Sequence, residues 1–216
     1  MKNTNTRKLV LLAMLSAVAF LLVALIRIPV VLFLSYEPKD VIITVGGFLL
    51  GPMASLVVSA VVALIEMVTI SSTGPIGGLM NLISSACFTC TAAYVYKKKH
   101  SIGGAVMGLV LGSVVMVGSM LLWNWLITPL YMTGTSRTDI AAMLVPVFLP
   151  FNALKAGFNS ALTLMLYKPL VSALRKTGLI PTPSDRPAST KWGAYLLGGA
   201  LLITCVVLLL VIRGII

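Results

Sequence analysis

Seven long apolar runs, broken by short polar or basic stretches, set the rhythm of this chain. A hydrocarbon core of about 30 Å is crossed by about 20 helical residues, so such runs read as membrane-spanning helices. The pattern predicts helices over residues 9–28, 79–96, 102–126, 146–167 and 192–212, with two more inside residues 41–69. That last stretch is long enough for one kinked span, but Gly51-Pro52 interrupts it. Charge decides between the two readings. A single span would place Lys2, Arg7 and Lys8 opposite Lys97, Lys98, Lys99 and the basic residues of 168–191. Division into one arm ending at Leu50 and another over 53–69 brings eleven of the sixteen Lys and Arg to one face. The positive-inside rule makes that face cytoplasmic, and the N-terminus with it. The first arm is then too short to cross unaided, and short Gly/Pro-interrupted arms tend to lie beside binding sites.

The breaks carry their own expectations. Residues 27–40, with an apolar middle at 30–34, form an outer loop fit to fold over the bundle as a lid. Residues 71–78 form a tight turn, and 132–142 a second outer loop with Arg137 and Asp139. Gly104, Gly108 and Gly112 form a ladder that packs hard on a neighbouring helix. Trp123, Trp125 and Tyr131 sit where an interfacial aromatic belt belongs. Residues 178–191 read as a polar, Pro-containing cytoplasmic linker. The expected architecture is an all-α polytopic membrane protein in three parts: a six-helix domain over 1–177, the linker over 178–191, and an additional C-terminal transmembrane helix within 192–216.

Composition agrees: 59% hydrophobic and 10% charged residues, at a mean hydropathy of +1.07, exclude an ordinary soluble domain. The net charge of +11 would suggest nucleic acid in a soluble protein. Here the basic residues sit in short loops and report orientation, so no nucleic-acid partner is expected. The run over 9–28 is read as a retained helix, although its basic start resembles a signal peptide. Cys87 and Cys90 have a redox-like spacing but lie within a lipid-length helix without a second pair, and read as packing residues.

Against this apolar background Asn152, Lys155 and Asn159 stand out, one turn apart on one helical face. Lys155 lies roughly 15–20 Å from either end of its helix, too deep for its stem to carry the ammonium to the interface. Two readings fit. The face lines a pocket for a small polar-aromatic solute, or it is a hydrogen-bonded cluster that fastens helices together. Asn124, flanked by tryptophans, offers a donor and an acceptor beside a stacking surface. Glu66, near the outer end of its helix, reads as a loop-pinning ion-pair partner or a proton carrier.

No catalytic constellation emerges. His100 has no intramembrane serine beside it, and metal-ligand spacings, a Mg²⁺-binding acid pair and a phosphate loop are all missing from the sequence. The chain is expected to be neither an enzyme nor an ATPase, to need no metal or cofactor, and to lack the several buried acids of a proton pump.

Four motifs in order, YEPKDVIITVGGFLLGP, STGPIGGLMNLISS, NWLITPLYM and PFNALKAGFNS, resemble the S components of energy-coupling-factor (ECF) transporters, in particular the riboflavin-specific RibU group. The resemblance spans residues 8–177. It implies a six-helix plasma-membrane subunit that captures riboflavin from outside and delivers it through a transmembrane T component and two ATPases. It implies docking on the T component through an Ala-xxx-Ala motif, matched by Ala13 and Ala17. It also implies a vitamin held under the first loop by the outer ends of helices 4 to 6. Asn124, Asn152 and Lys155 match family motif positions; Asn159, Tyr36, Asp40, Tyr131 and Asn81 complete the candidate substrate-binding set. The helix at 192–212 departs from the six-helix plan. A different vitamin, or an intramembrane lipid-modifying enzyme, are the alternatives.

Overall fold

The computed structural model describes residues 4–32, 34–70, 74–132, 134–176 and 192–213. Helix α1 (Thr4–Leu25) leads into a hairpin of β1 (Ile28–Val31) and β2 (Leu34–Tyr36), followed by α2 (Lys39–Leu50), α3 (Pro52–Thr69), α4 (Gly74–Lys99) and α5 (Ile102–Tyr131). Then α6 (Arg137–Met143), a π-helical turn (Leu144–Phe148) and α7 (Leu149–Lys176) form one rod, and α8 (Trp192–Ile212) ends the described chain. Six helical stretches are long and apolar enough to cross a membrane; the one α-helical arm of the bundle that falls short is α2.

α2 organises the rest. It is only about 18 Å long and is buried continuously from Lys39 to Phe48, enclosed by α1, α3, α4 and α7. Apolar side chains on every face suit a helix with no lipid-facing side. The chain then reverses at Gly51, whose φ of +96° is open to glycine and strained for other residues. Pro52 opens α3 at a position where its missing N–H costs nothing. The sequence-predicted split is therefore present, with α2 starting at Lys39 inside the expected loop.

α4 and α5 approach closely because α5 presents glycine to the backbone of α4. A Cβ at Gly108 would stand 2.7 Å from the Ala92 carbonyl oxygen, and one at Gly112 would stand 2.6 Å from that of Phe88. In the α6–α7 rod, the π-helical turn contains Pro146, where a proline ring and missing N–H cannot be fitted into regular α-helix. Residues 137–142, expected as loop, are helical: the Ser136 hydroxyl accepts from the Asp139 N–H, and the Asp139 carboxylate accepts from the Ser136 N–H.

The expected lid is an antiparallel hairpin, pairing Ile28 with Tyr36 and Pro29 with Ser35. It folds down over one end of the bundle, hereafter the hairpin end, and buries Leu34 against Ile140, Phe148 and Phe151. The opposite, basic end carries Lys97, Lys98 and Lys99. α8 lies along α7, with Cys205 against Gly157 and Gly198 over the Ala161 carbonyl. At the hairpin end Leu209 and Ile212 pack in the same cluster as Val30, and the Arg213 guanidinium donates to the Pro29 carbonyl. The linker expected over 178–191 lies outside the described residues.

A polar cavity beneath the hairpin

Because α2 is short, its N-terminus brings Lys39 and Asp40 inside the bundle, just below the hairpin. Lys39 is 1% exposed, which demands compensation of its charge. Its ammonium donates to Glu37 at 2.9 Å and to both carboxylate oxygens of Glu66, at 2.8 and 2.5 Å. Arg27 closes the other side of Glu37 at 3.0 Å, and the Asn81 amide donates to Glu66 at 3.1 Å. The hairpin's exit is thus pinned to α3, to α4 and to the segment that enters its own first strand. Burial pushes the Glu37 carboxyl up, but Lys39, Lys155 and Arg27 outweigh it and hold it below its ordinary value.

Asp40 heads a second group. Its carboxylate accepts from the Ser85 hydroxyl at 2.5 Å and from the Asn159 amide at 3.0 Å. The Asn159 carbonyl oxygen in turn accepts from the Tyr36 hydroxyl at 3.1 Å, tying β2 to the middle of α7. Lys155 stands 4.0 Å from Asp40 and donates to the Ser84 hydroxyl at 3.2 Å. Across both groups three cations (Arg27, Lys39, Lys155) face three carboxylates (Glu37, Asp40, Glu66).

Above this floor lies a cavity of about 740 Å³, counting the space open at its mouth. Asn81, Ser84, Asn124, Asn152 and Lys155 supply polar groups to its wall; Leu34, Met80, Met120 and Phe151 supply apolar ones. Asn124 donates to the Met120 carbonyl at 2.7 Å and accepts from Thr128 at 3.0 Å, so its amide is fixed before anything binds. Asn152 donates to the Phe148 carbonyl at the end of the π-helical turn, at 2.8 Å.

The sequence-predicted residues thus divide. Asn81, Asn124, Asn152 and Lys155 line the cavity. Tyr36, Asp40 and Asn159 form the hydrogen-bonded chain behind Lys155. Tyr131 ends α5, and its side chain lies outside the described residues. Ala13 and Ala17 are exposed, on the face of α1 turned away from buried Leu11, Leu15 and Ala19. Glu66 is an ion-pair partner that pins the hairpin's exit through Lys39, the first of its two sequence readings. One expectation needs correction: the chain does bury several acids, Glu37, Asp40 and Glu66, each facing a cation. Sequence reasoning missed Lys39, Ser84 and Ser85; the signal for Lys39 was its place at the head of an arm too short to reach the interface. Cys87 and Cys90 face different neighbours, the Ser119 hydroxyl and the Pro52 carbonyl.

Comparison with known proteins gives a consistent picture. The profile of a family described as "ECF transporter, substrate-specific component" matches residues 7–167, ending within α7. The chain is 30% identical over 180 residues to the riboflavin transporter RibU of Staphylococcus aureus, covering 80% of this chain and 94% of that protein. It is 29% identical over 162 residues to the riboflavin transporter FmnP of Bacillus subtilis, covering 70% of this chain and 85% of that one. A solved structure of the S component of a bacterial ECF transporter superposes with a TM-score of 0.65 at 29% identity, over 79% of this chain and 98% of the other.

Proposed function

We propose that this chain, which belongs to the substrate-specific components of ECF transporters, binds riboflavin in the cavity beneath its hairpin. The observation that carries this reading is the cavity's composition: amides and one ammonium set among apolar walls, over a floor whose buried charges balance. Such a site suits a solute that is uncharged, flat and apolar over much of its area, and rich in hydrogen-bonding edges. The flavin imide alternates acceptors and a donor, which a fixed asparagine amide such as Asn124 complements, while ribityl hydroxyls suit Asn81, Asn152 and Lys155. Tyr36, Asp40 and Asn159 act through Lys155 by holding it in place.

The riboflavin named for the relatives supports the substrate assignment. The chain has no role for itself in hydrolysis or group transfer under this reading: the energy comes from two ATPases acting through a transmembrane T component that docks on Ala13 and Ala17. In this reading the N-terminus lies in the cytoplasm, which the excess of basic residues at that end of the bundle supports. Riboflavin titrated into the purified chain should lose its fluorescence with a one-to-one end point. Undiminished fluorescence, with quenching or stabilisation by another vitamin, would reassign the substrate and leave the family standing.

A further inference from the structure

We infer that α8 is a strap for the hairpin: through Leu209, Ile212 and Arg213 it holds β1 down over the cavity and sets how fast a solute enters and leaves. The inference rests on the reading that the cavity binds riboflavin, and it gives the additional C-terminal helix a part in that binding.

A two-stranded ribbon of four and three residues does not hold itself together in water. Its position depends on what each strand rests on, and the two strands differ in this. β2 is held by the six-helix body. Leu34 and Tyr36 are buried, Leu34 among Ile140, Phe148 and Phe151, while the Tyr36 hydroxyl donates to Asn159 of α7. β1 is the outer strand: Ile28 and Pro29 are exposed, and Val30 and Val31 are only half-buried against the Leu34 cluster. Pro29 has no N–H to give to the ladder, and the register of the ribbon slips between Pro29 and Val31. α8 arrives at this weak point. The Arg213 guanidinium donates to the Pro29 carbonyl, and Leu209 and Ile212 pack in the apolar cluster that contains Val30 and Tyr36.

An arginine just beyond a transmembrane helix ordinarily reaches for headgroups and water. Arg213 instead turns onto backbone 184 residues away in the chain. α8 is also fixed in register along α7, which a strap requires. A Cβ at Gly157 would stand 2.5 Å from the Cys205 sulfur, and one at Gly198 would stand 3.1 Å from the Ala161 carbonyl oxygen, so the two helices meet where glycine leaves room. Leu34 and Ser35 line the cavity, so lifting the hairpin widens its mouth. The strap favours the seated hairpin whether the cavity is empty or filled. Its loss therefore speeds entry and release together and leaves the affinity nearly unchanged, whereas loss of a contact to the solute acts mainly on release.

The test uses the full chain purified in detergent. In stopped-flow quenching of riboflavin fluorescence, Arg213→Ala should raise the association and release rates alike by about threefold to tenfold, the worth of one exposed hydrogen bond, with their ratio within about twofold of the parent's. Hydrogen exchange read by mass spectrometry without riboflavin should quicken in β1 and β2 and stay at the parent level in α4 and α5. Leu209→Ala should act in the same direction, and Leu196→Ala, on the exposed surface at the other end of α8, should change neither readout. Faster release with unchanged association would make Arg213 a contact to the solute. A lower unfolding temperature with parent-like rates and hairpin exchange would make it an interfacial anchor. Either result overturns the strap, as does no change at all. A parent that leaves riboflavin fluorescence undiminished would overturn the substrate instead, and hairpin exchange alone then decides the strap.

Discussion

Lys155 and Asp40 face each other across 4.0 Å in the cavity floor, and the relationship is unequal. Asp40 is already satisfied by Ser85 and Asn159, whereas Lys155 has three N–H donors and Ser84 takes one of them at 3.2 Å. Lys155→Met should therefore leave a folded protein and weaken riboflavin binding about tenfold to a hundredfold, the worth of one charged hydrogen bond. Fluorescence titration and thermal unfolding of the same sample separate the outcomes. A large loss of stability with unchanged affinity in the folded fraction would make Lys155 a helix fastener.

Lys39 should behave in the opposite way. Its removal in Lys39→Met leaves Glu37 and Glu66 buried without their common cation, a change that costs about 3–5 kcal/mol when a buried pair loses one partner. Adding Glu66→Gln to Lys39→Met should recover part of that loss, because the two changes act on one interaction. Thermal unfolding of the single and double variants measures it; strictly additive losses would mean the pair is not coupled.

The Glu37 carboxyl predicts the acid limit of the hairpin. Its value in the folded protein lies below the ordinary 4.5. The stability it contributes is then fully present above that ordinary value and is lost only as pH falls through the depressed one. Unfolding temperature should show no Glu37-dependent change between pH 8 and about pH 5.5, and Glu37→Gln should narrow its gap from the parent only in more acidic solution. A gap that closes already near neutrality would show that Glu37 titrates high.

Ala13 and Ala17 test the coupling surface. Both are exposed, so Ala13→Trp or Ala17→Trp adds bulk on a face that no described residue covers. Riboflavin binding by the purified variants should stay at the parent level, while uptake by cells that also supply the T component and ATPases should fall to background. Unchanged uptake would move the docking face off this part of α1.

The apolar runs placed the helices because lipid exposure leaves a long, legible record, and the positive-inside rule recovered the division at Gly51-Pro52. The hairpin was less visible: its strands are four and three residues long, and Pro29 sits in the first. The helix from Arg137 was hidden for a different reason, since its capping box lies in a stretch whose Gly and Ser residues read as loop. The cavity was half legible. Lys155 announces itself by depth alone, but Lys39 looks like a loop lysine until Glu66 is brought to it from 27 residues away. Tyr36 and Asn159 meet across 123 residues, and no local pattern encodes that bond.

With α2 and α3 each traversing the bundle, the path from α1 to α8 makes an odd number of passages, which is why Arg213 comes out beside Pro29. The described part of α1 therefore starts at the basic end of the bundle, and α8 finishes at the hairpin end. Under the proposed orientation, a fluorescent reporter joined ahead of α1 should be shielded from an impermeant quencher added outside the cell, whereas an affinity handle joined behind α8 should be reached by an antibody added there.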